Sequence, residues 1–216
     1  MKNLNNILYP GTSIWESDVW SKDVIFESVI PEPEIKKWDF HEINVYSKTH
    51  TYPFEHEGRS GSVDITHYGP IDPKKPVNYE DGDEEHPGAI GISFSFGKDK
   101  YKSIDKEKYS KEARTAIGSK IKGIVEHHIT THGKAFADEM KQHGIQTFLR
   151  AEAYEPGAQN NPKAYAAAKA KHKAYGNMFN FLGKKYKSMF HPYKKPDDTG
   201  YEDIVGAFPH HRLNYK

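Results

Sequence analysis

Between Asn161 and Phe190, residues Tyr165, Ala168, His172, Tyr175, Phe179, Leu182, Tyr186 and Met189 recur at spacings of three and four. That spacing puts them on one side of a helix of about 28 residues. Asn161-Pro162 opens it, as an N-cap followed by proline where a missing N–H costs nothing. From Gly88 to Gly97 the period changes to two, with Ile90, Ile92, Phe94 and Phe96 on one face and Ala89, Gly91, Ser93 and Ser95 on the other. This predicts a strand whose small-residue face packs closely against a helix or another backbone. A second helix, from about Asp105 or Ser110, carries Tyr109, Ala113, Ala116, Ile117, Ile121, Ile124, Val125 and His128. It breaks near Thr130-Thr131 or runs on through Phe136 and Met140, with Gly144 as C-cap.

Ile145 to Tyr154 alternates as a strand with Ile145, Thr147, Leu149, Ala151 and Ala153 on one face, and a helix between two strands predicts that they lie parallel. Earlier in the chain, Ser62 to Tyr68 alternates as a half-buried strand and Trp38 to Val45 as an imperfect, bulged one. Residues 1–37 read as an N-terminal arm: Tyr9-Pro10-Gly11 is a turn, Val24 to Ile30 a short strand, and Pro31-Glu32-Pro33-Glu34 opposes regular structure. Residues 38–190 read as the folded domain. Residues 191–216 are a turn-rich tail that docks through Ile204, Val205 and Phe208. The fold class predicted is α+β, a mixed β-sheet packed by two long helices with an extended arm.

Composition narrows the function. The 216 residues contain no cysteine, which excludes disulfides and thiolate metal sites, and 13% are aromatic, which points to an aromatic-rich core. No apolar run is long enough for a membrane span, and MKNLNNILYPG lacks the pattern of a signal peptide. A net charge of +1 conceals a polarity: residues 1–97 hold 17 acidic and 8 basic residues (8 − 17 = −9), and residues 156–216 hold 4 acidic and 11 basic (11 − 4 = +7). Only Arg59, Arg114, Arg150 and Arg212 are arginines, so the positive charge is mostly diffuse lysine rather than bidentate readers of bases or phosphates. Lys169, Lys173, Lys184, Lys185 and Lys187 back the long helix as a basic face, and Trp15 and Trp20 are large apolar groups in a polar arm that need a surface to bury against. These seven are the candidate interaction residues. The basic face suits the acidic first half of another copy, a neighbouring protein, or nucleic acid.

Candidate chemistry is sparse. The acidic run Glu80-Asp81-Gly82-Asp83-Glu84-Glu85 lacks the spaced ligands of a calcium loop and reads as a solvated loop. Thirteen histidines include His127-His128 and His132, with His128 and His132 one helical turn apart at a metal-binding spacing. The order is not the H-E-x-x-H of zinc proteases, and paired histidines ending a helix do not fit the hairpin of an HNH nuclease. The favoured reading makes His128 and His172 hydrogen-bonded histidines at helix interfaces and the others surface residues. No G-x-S-x-G elbow or phosphate-binding glycine loop is present. No catalytic, cofactor or metal residue is therefore expected.

The order strand, helix, strand, helix from Ile90 onward resembles the core of GNAT acetyltransferases, whose pyrophosphate loop reads R/Q-x-x-G-x-G/A. Here Arg114-Thr115-Ala116-Ile117-Gly118-Ser119 has one residue too many and falls within a helix, where backbone N–H groups are not free for a cofactor. Residues 88–190 also resemble a family of tailed-bacteriophage proteins, through Arg150-Ala151-Glu152, Lys173-Ala174-Tyr175 and Phe181-Leu182-Gly183-Lys184-Lys185. The resemblance implies a phage protein on a GNAT-like scaffold and places no catalytic residue. The leading expectation is a non-enzymatic virion or assembly component in the virion or host cytoplasm, acting on other virion proteins or on copies of itself. A GNAT-like acetyltransferase is the first alternative, and an HNH-like nuclease or nucleic-acid-binding protein the second.

Overall fold

The computed structural model describes residues 30–77, 86–96, 110–151, 153, 158, 160–195 and 210–216. Trp15, Trp20, the acidic run 80–85, Tyr109 and the Ile204–Phe208 patch lie outside them. The fold is α+β: among the described residues, a six-stranded mixed sheet in the order β1 to β6, packed by helices. The strands are β1 (Glu34–Phe40), β2 (Val45–His56), β3 (Arg59–Pro70), β4 (Ala89–Phe96), β5 (Phe148–Ala151) and β6 (His211–Asn214). The first four form an antiparallel meander, β5 lies parallel to β4, and β6 returns antiparallel to β5. The parallel pairing predicted for the two strands flanking a helix is what forms.

Helix α1 (Lys111–His128) begins where Ser110 accepts a hydrogen bond from the Ala113 N–H. It neither stops at Thr130 nor continues unchanged, but passes through a π-turn (Ile129–Gly133) into α2 (Lys134–Gln142). The Lys134 N–H reaches back to the Ile129 carbonyl, one residue farther than in an α-helix. Hydroxyls of Thr130 and Thr131 donate to the carbonyls of Glu126 and His127 around the turn. Gly144, with φ of +72°, ends α2 as expected of a left-handed cap position. Helix α3 (Pro162–Lys185) starts at the Asn161 cap but is shorter than its stripe predicts, because Tyr186 to Met189 turn back and Phe190 bridges to Tyr215.

Several strand boundaries also differ. The segment Trp38 to Val45 is a strand end, a turn at residues 41–44 and the start of β2, rather than one bulged strand. β1 begins at Glu34, inside the segment read as the arm, and the described end of the tail forms β6. β5 is only four residues of the predicted ten-residue stretch.

Register places Tyr52, Val63, Ile65, Ile90, Ile92, Leu149 and Leu213 on one face, and this face is buried with Ile117, Ile121, Tyr175, Phe179 and Leu182 of the helices. The helices therefore cover the branched apolar face of β4, so of the two partners expected for its small face the helix is not the one that forms. Burying large side chains removes more apolar area from water than burying Ala, Gly and Ser. The opposite face carries cross-strand hydroxyl pairs, Thr49 with Thr66 at 2.9 Å and Ser62 with Ser95 at 3.0 Å. α1 and α3 meet around Glu126, which binds Lys185 at 2.8 Å and accepts from the Tyr186 hydroxyl. Beside it the buried Lys122 ammonium lies 3.9 Å from the centre of the Phe181 ring.

Gly176 of α3 faces β6 so closely that a Cβ there would sit 2.9 Å from the His211 ring. In an exposed helix Gly→Ala gains about 1 kcal/mol. Gly176→Ala is expected instead to lower the melting temperature, because His211 is held in place. Gly183→Leu is expected to lower it too, by crowding Leu213 and the backbone of Tyr193. A rise in either variant, read by circular dichroism melting, would show that α3 does not pack tightly on β6.

Candidate functional site: buried histidines beside an open sheet edge

The turn Glu57-Gly58, both residues at positive φ, joins β2 to β3 and sets Ile65 opposite His50 and His67 opposite Lys48. His50 and His67 consequently lie on the helix-covered face, one on each strand. The C-terminal end of α1 brings His128 down onto them, and the π-turn carries His132 alongside. The Nε2 atoms of His67 and His128 meet at 2.8 Å, and the Tyr52 hydroxyl lies 2.8 Å from His128 Nδ1. The His50 ring is 4.9 Å from each of the His67 and His128 rings, and its Nδ1 is buried without a hydrogen-bond partner. His132 stacks on His50 at 5.2 Å, and Phe136 covers the His67 ring at 4.5 Å.

Burial of these imidazoles penalises their charged forms. It lowers His50 to about 4 and His67 to about 3, with nearby Lys48 and neighbouring histidines adding repulsion. His128 is lowered by burial and then by its histidine neighbours, and His132 by burial, then His127 and Lys48, with Glu32 opposing. The cluster is thus neutral near pH 7, a set of lone pairs and N–H groups inside an apolar core. Tyr52 is raised to about 12, first by burial and then by the field of Glu32.

A second cluster lies under α3. The His211 ring, on β6, is 4.2 Å from that of His172, and its Nδ1 bonds the Tyr193 hydroxyl. His128 is therefore a buried, hydrogen-bonded histidine as expected. The reading of the remaining histidines as surface residues is corrected: His50, His67 and His211 are also buried, because they occupy inward positions of strands. The His132 ring lies 5.3 Å from that of His128, and among the described residues the group of three whose ligand nitrogens lie within 4.8 Å of one another is His50, His67 and His128.

The other feature is the sheet edge. Among the described residues β1 pairs only with β2, and all seven of its residues are exposed. Ile35, Trp38 and Phe40 are 51%, 65% and 38% exposed. Lys36 and Lys37 pair with Glu34 and Asp39 along the strand. The interaction lysines Lys169, Lys173 and Lys184 are exposed on α3 and Lys187 in the turn that follows it, while Lys185 is bound to Glu126. Arg114 and Gly118 sit within α1, Gly118 buried. β4 and β5 pair over only three residues, and where that pairing ends at Gly91 and Arg150 a notch is lined by these two with Ser93 of β4 and Thr66 and Tyr68 of β3. Among the described residues no helix is long and apolar enough to cross a membrane. Comparison with known proteins finds no matching family model, no matching curated protein and no matching solved structure.

Burial lowers His211 to about 4, with His172 and His210 opposing a second charge. Tyr193 faces it from the following segment, and Arg150 reaches His210 from β5. The unfolded chain then binds a proton between about pH 6.5 and 4 that the folded one refuses. Stability from this group is complete above pH 6.5 and is lost as pH falls toward 4, by no more than about 1.4 kcal/mol per pH unit. His211→Leu is expected to flatten the fall in melting temperature between pH 7 and pH 5. An unchanged slope would mean that His211 is not held neutral.

Proposed function

We propose that this protein is a structural or assembly subunit that acts through protein–protein contacts, with β1 as the docking edge. The observation that carries the reading is the exposure of Ile35, Trp38 and Phe40 on a strand with an unpaired side among the described residues. Soluble proteins blunt such edges with charge, proline or a covering element, because an apolar edge strand recruits another chain. β1 has charges, yet it places tryptophan and phenylalanine on one face and isoleucine on the other. A neighbour's strand added there gains main-chain hydrogen bonds and buries these three side chains. The basic outer side of α3 supplies a second surface, complementary to the acidic first half of another copy. The resemblance to tailed-phage proteins makes a virion the natural setting for this assembly.

One observation favours an acetyltransferase instead. The notch lies where the parallel pairing of β4 and β5 ends and the two strands part, a place at which a ligand could reach the sheet backbone. Against it, residues Arg114 to Ser119 spend their N–H groups within α1 rather than offering them to a pyrophosphate. Acetyl-CoA at millimolar concentration is accordingly expected to leave the melting temperature unchanged; specific stabilisation would favour the enzyme.

The assembly reading is tested by replacing Ile35 and Trp38 together with lysine. Both are exposed, so the monomer is expected to melt as the wild type does, within about 0.5 kcal/mol. Concentration-dependent association, followed by sedimentation velocity, is expected to disappear. Equal association of the variant and the wild type would remove β1 from the interface. In parallel, Lys184→Glu with Lys187→Glu is expected to weaken association; loss of DNA retention with association intact would make the α3 face a nucleic-acid surface.

A further inference from the structure

Three imidazoles meet where the β2–β3 hairpin is covered by the end of α1. His50, His67 and His128 are 2%, 4% and 0% exposed, and one ligand nitrogen of each lies within 4.8 Å of the other two. As a purely structural core this arrangement is costly. Ile65 and Ile129 pack the same region, and aliphatic groups at the histidine positions would leave no polar atom to satisfy. Instead, two Nε2 atoms face each other across 2.8 Å, a gap that holds a single proton, and the buried Nδ1 of His50 has no partner at all.

A metal ion resolves both features. With bonds of 2.0–2.1 Å, nitrogens around a tetrahedral zinc stand about 3.4 Å apart. Small ring movements bring the three side chains to that spacing, the His67–His128 contact widening and the longer separations closing. Tyr52 fixes the direction of one ligand. When His128 Nδ1 carries the proton it donates to the Tyr52 hydroxyl, and Nε2 is left as a lone pair aimed into the cluster. The set contains no carboxylate, so calcium and magnesium are poor occupants, whereas imidazoles suit zinc, cobalt, nickel and copper. Lys48 is the opposing charge beside the cluster and Glu32 the favourable one beside His132. The Lys48 side chain is only partly buried, and a long flexible stem lets its ammonium turn to solvent.

We infer that His50, His67 and His128 form a binding site for one first-row divalent transition-metal ion, zinc being the reference case. The ion ties two strands of the meander to α1. Its role is structural, since the ligands are enclosed by the core, and it stands independently of the docking reading for β1.

The test uses the full chain after treatment with a chelator, titrated with Co²⁺ and then with Zn²⁺. One equivalent of Co²⁺ is expected to give the visible absorption of a nitrogen-ligated low-coordinate ion, one equivalent of Zn²⁺ to abolish it, and the melting temperature to rise with Zn²⁺. His67→Gln is expected to lose the absorption and the melting shift. A variant with the exposed His41, His143 and His191 all replaced by asparagine is expected to keep both. Tyr52→Phe retains the ligands, and is expected to weaken Zn²⁺ by about tenfold. Should His67→Gln fail to fold, the wild type, the surface variant and Tyr52→Phe still decide. No absorption and no melting shift in the wild type would overturn the site. So would metal binding that vanishes in the surface variant, or that His67→Gln leaves intact.

Discussion

A sheet of six strands has two faces, and this chain covers only one of them with its described helices. The branched and aromatic residues of β3, β4 and β5 point to α1, α2 and α3, whereas the opposite face carries threonine, serine and glycine with isolated aromatics. Apolar area per residue decides this polarity, because isoleucine and phenylalanine gain roughly 1.5–3 kcal/mol each when buried and serine gains nothing comparable. Helix placement, crossover and glycine contacts follow from that choice. Gly176 and Gly133 are small because His211 and Tyr215, inward-facing residues at the last edge of the sheet, approach the helix layer within contact distance.

The same polarity makes the histidines unusual. At a water-exposed position an imidazole would be solvated at no cost. On the helix-covered face it must be neutral and must find partners, and the partners available to His67 and His128 are each other and Tyr52. The π-turn belongs to this arrangement, because it follows His128 directly and carries His132 to the His50 ring. An ordinary α-helical continuation would rotate the later residues by a different amount, and Phe136 would no longer fall over His67.

Much of the second half was legible because it buries apolar residues with clear periods: β4, α1, the capped start of α3 and the parallel relation of β4 to β5. The first half was less so. β2 places Ser47 and His50 at buried positions, so its alternation is invisible to an apolar count, and β1 is exposed throughout and has no period to detect. β6 is four residues long. The histidine cluster nevertheless had a readable signal. Taking Glu57-Gly58 as a two-residue hairpin turn pairs residues whose numbers add to 115, which places His50 opposite Ile65 and His67 opposite Lys48 on one face. What no pattern supplied was the rotation of α1, set by packing, that brings His128 onto them.

If the single covered face leaves β1 to a neighbour, its backbone must report that neighbour. The direct measurement is amide hydrogen exchange of residues 34–40 in dilute and in concentrated protein. N–H groups directed away from β2 are expected to exchange rapidly when dilute and to gain protection on concentration, while the amides paired with β2 change little. Equal, rapid exchange of the outer amides at every concentration at which the protein associates would contradict the account.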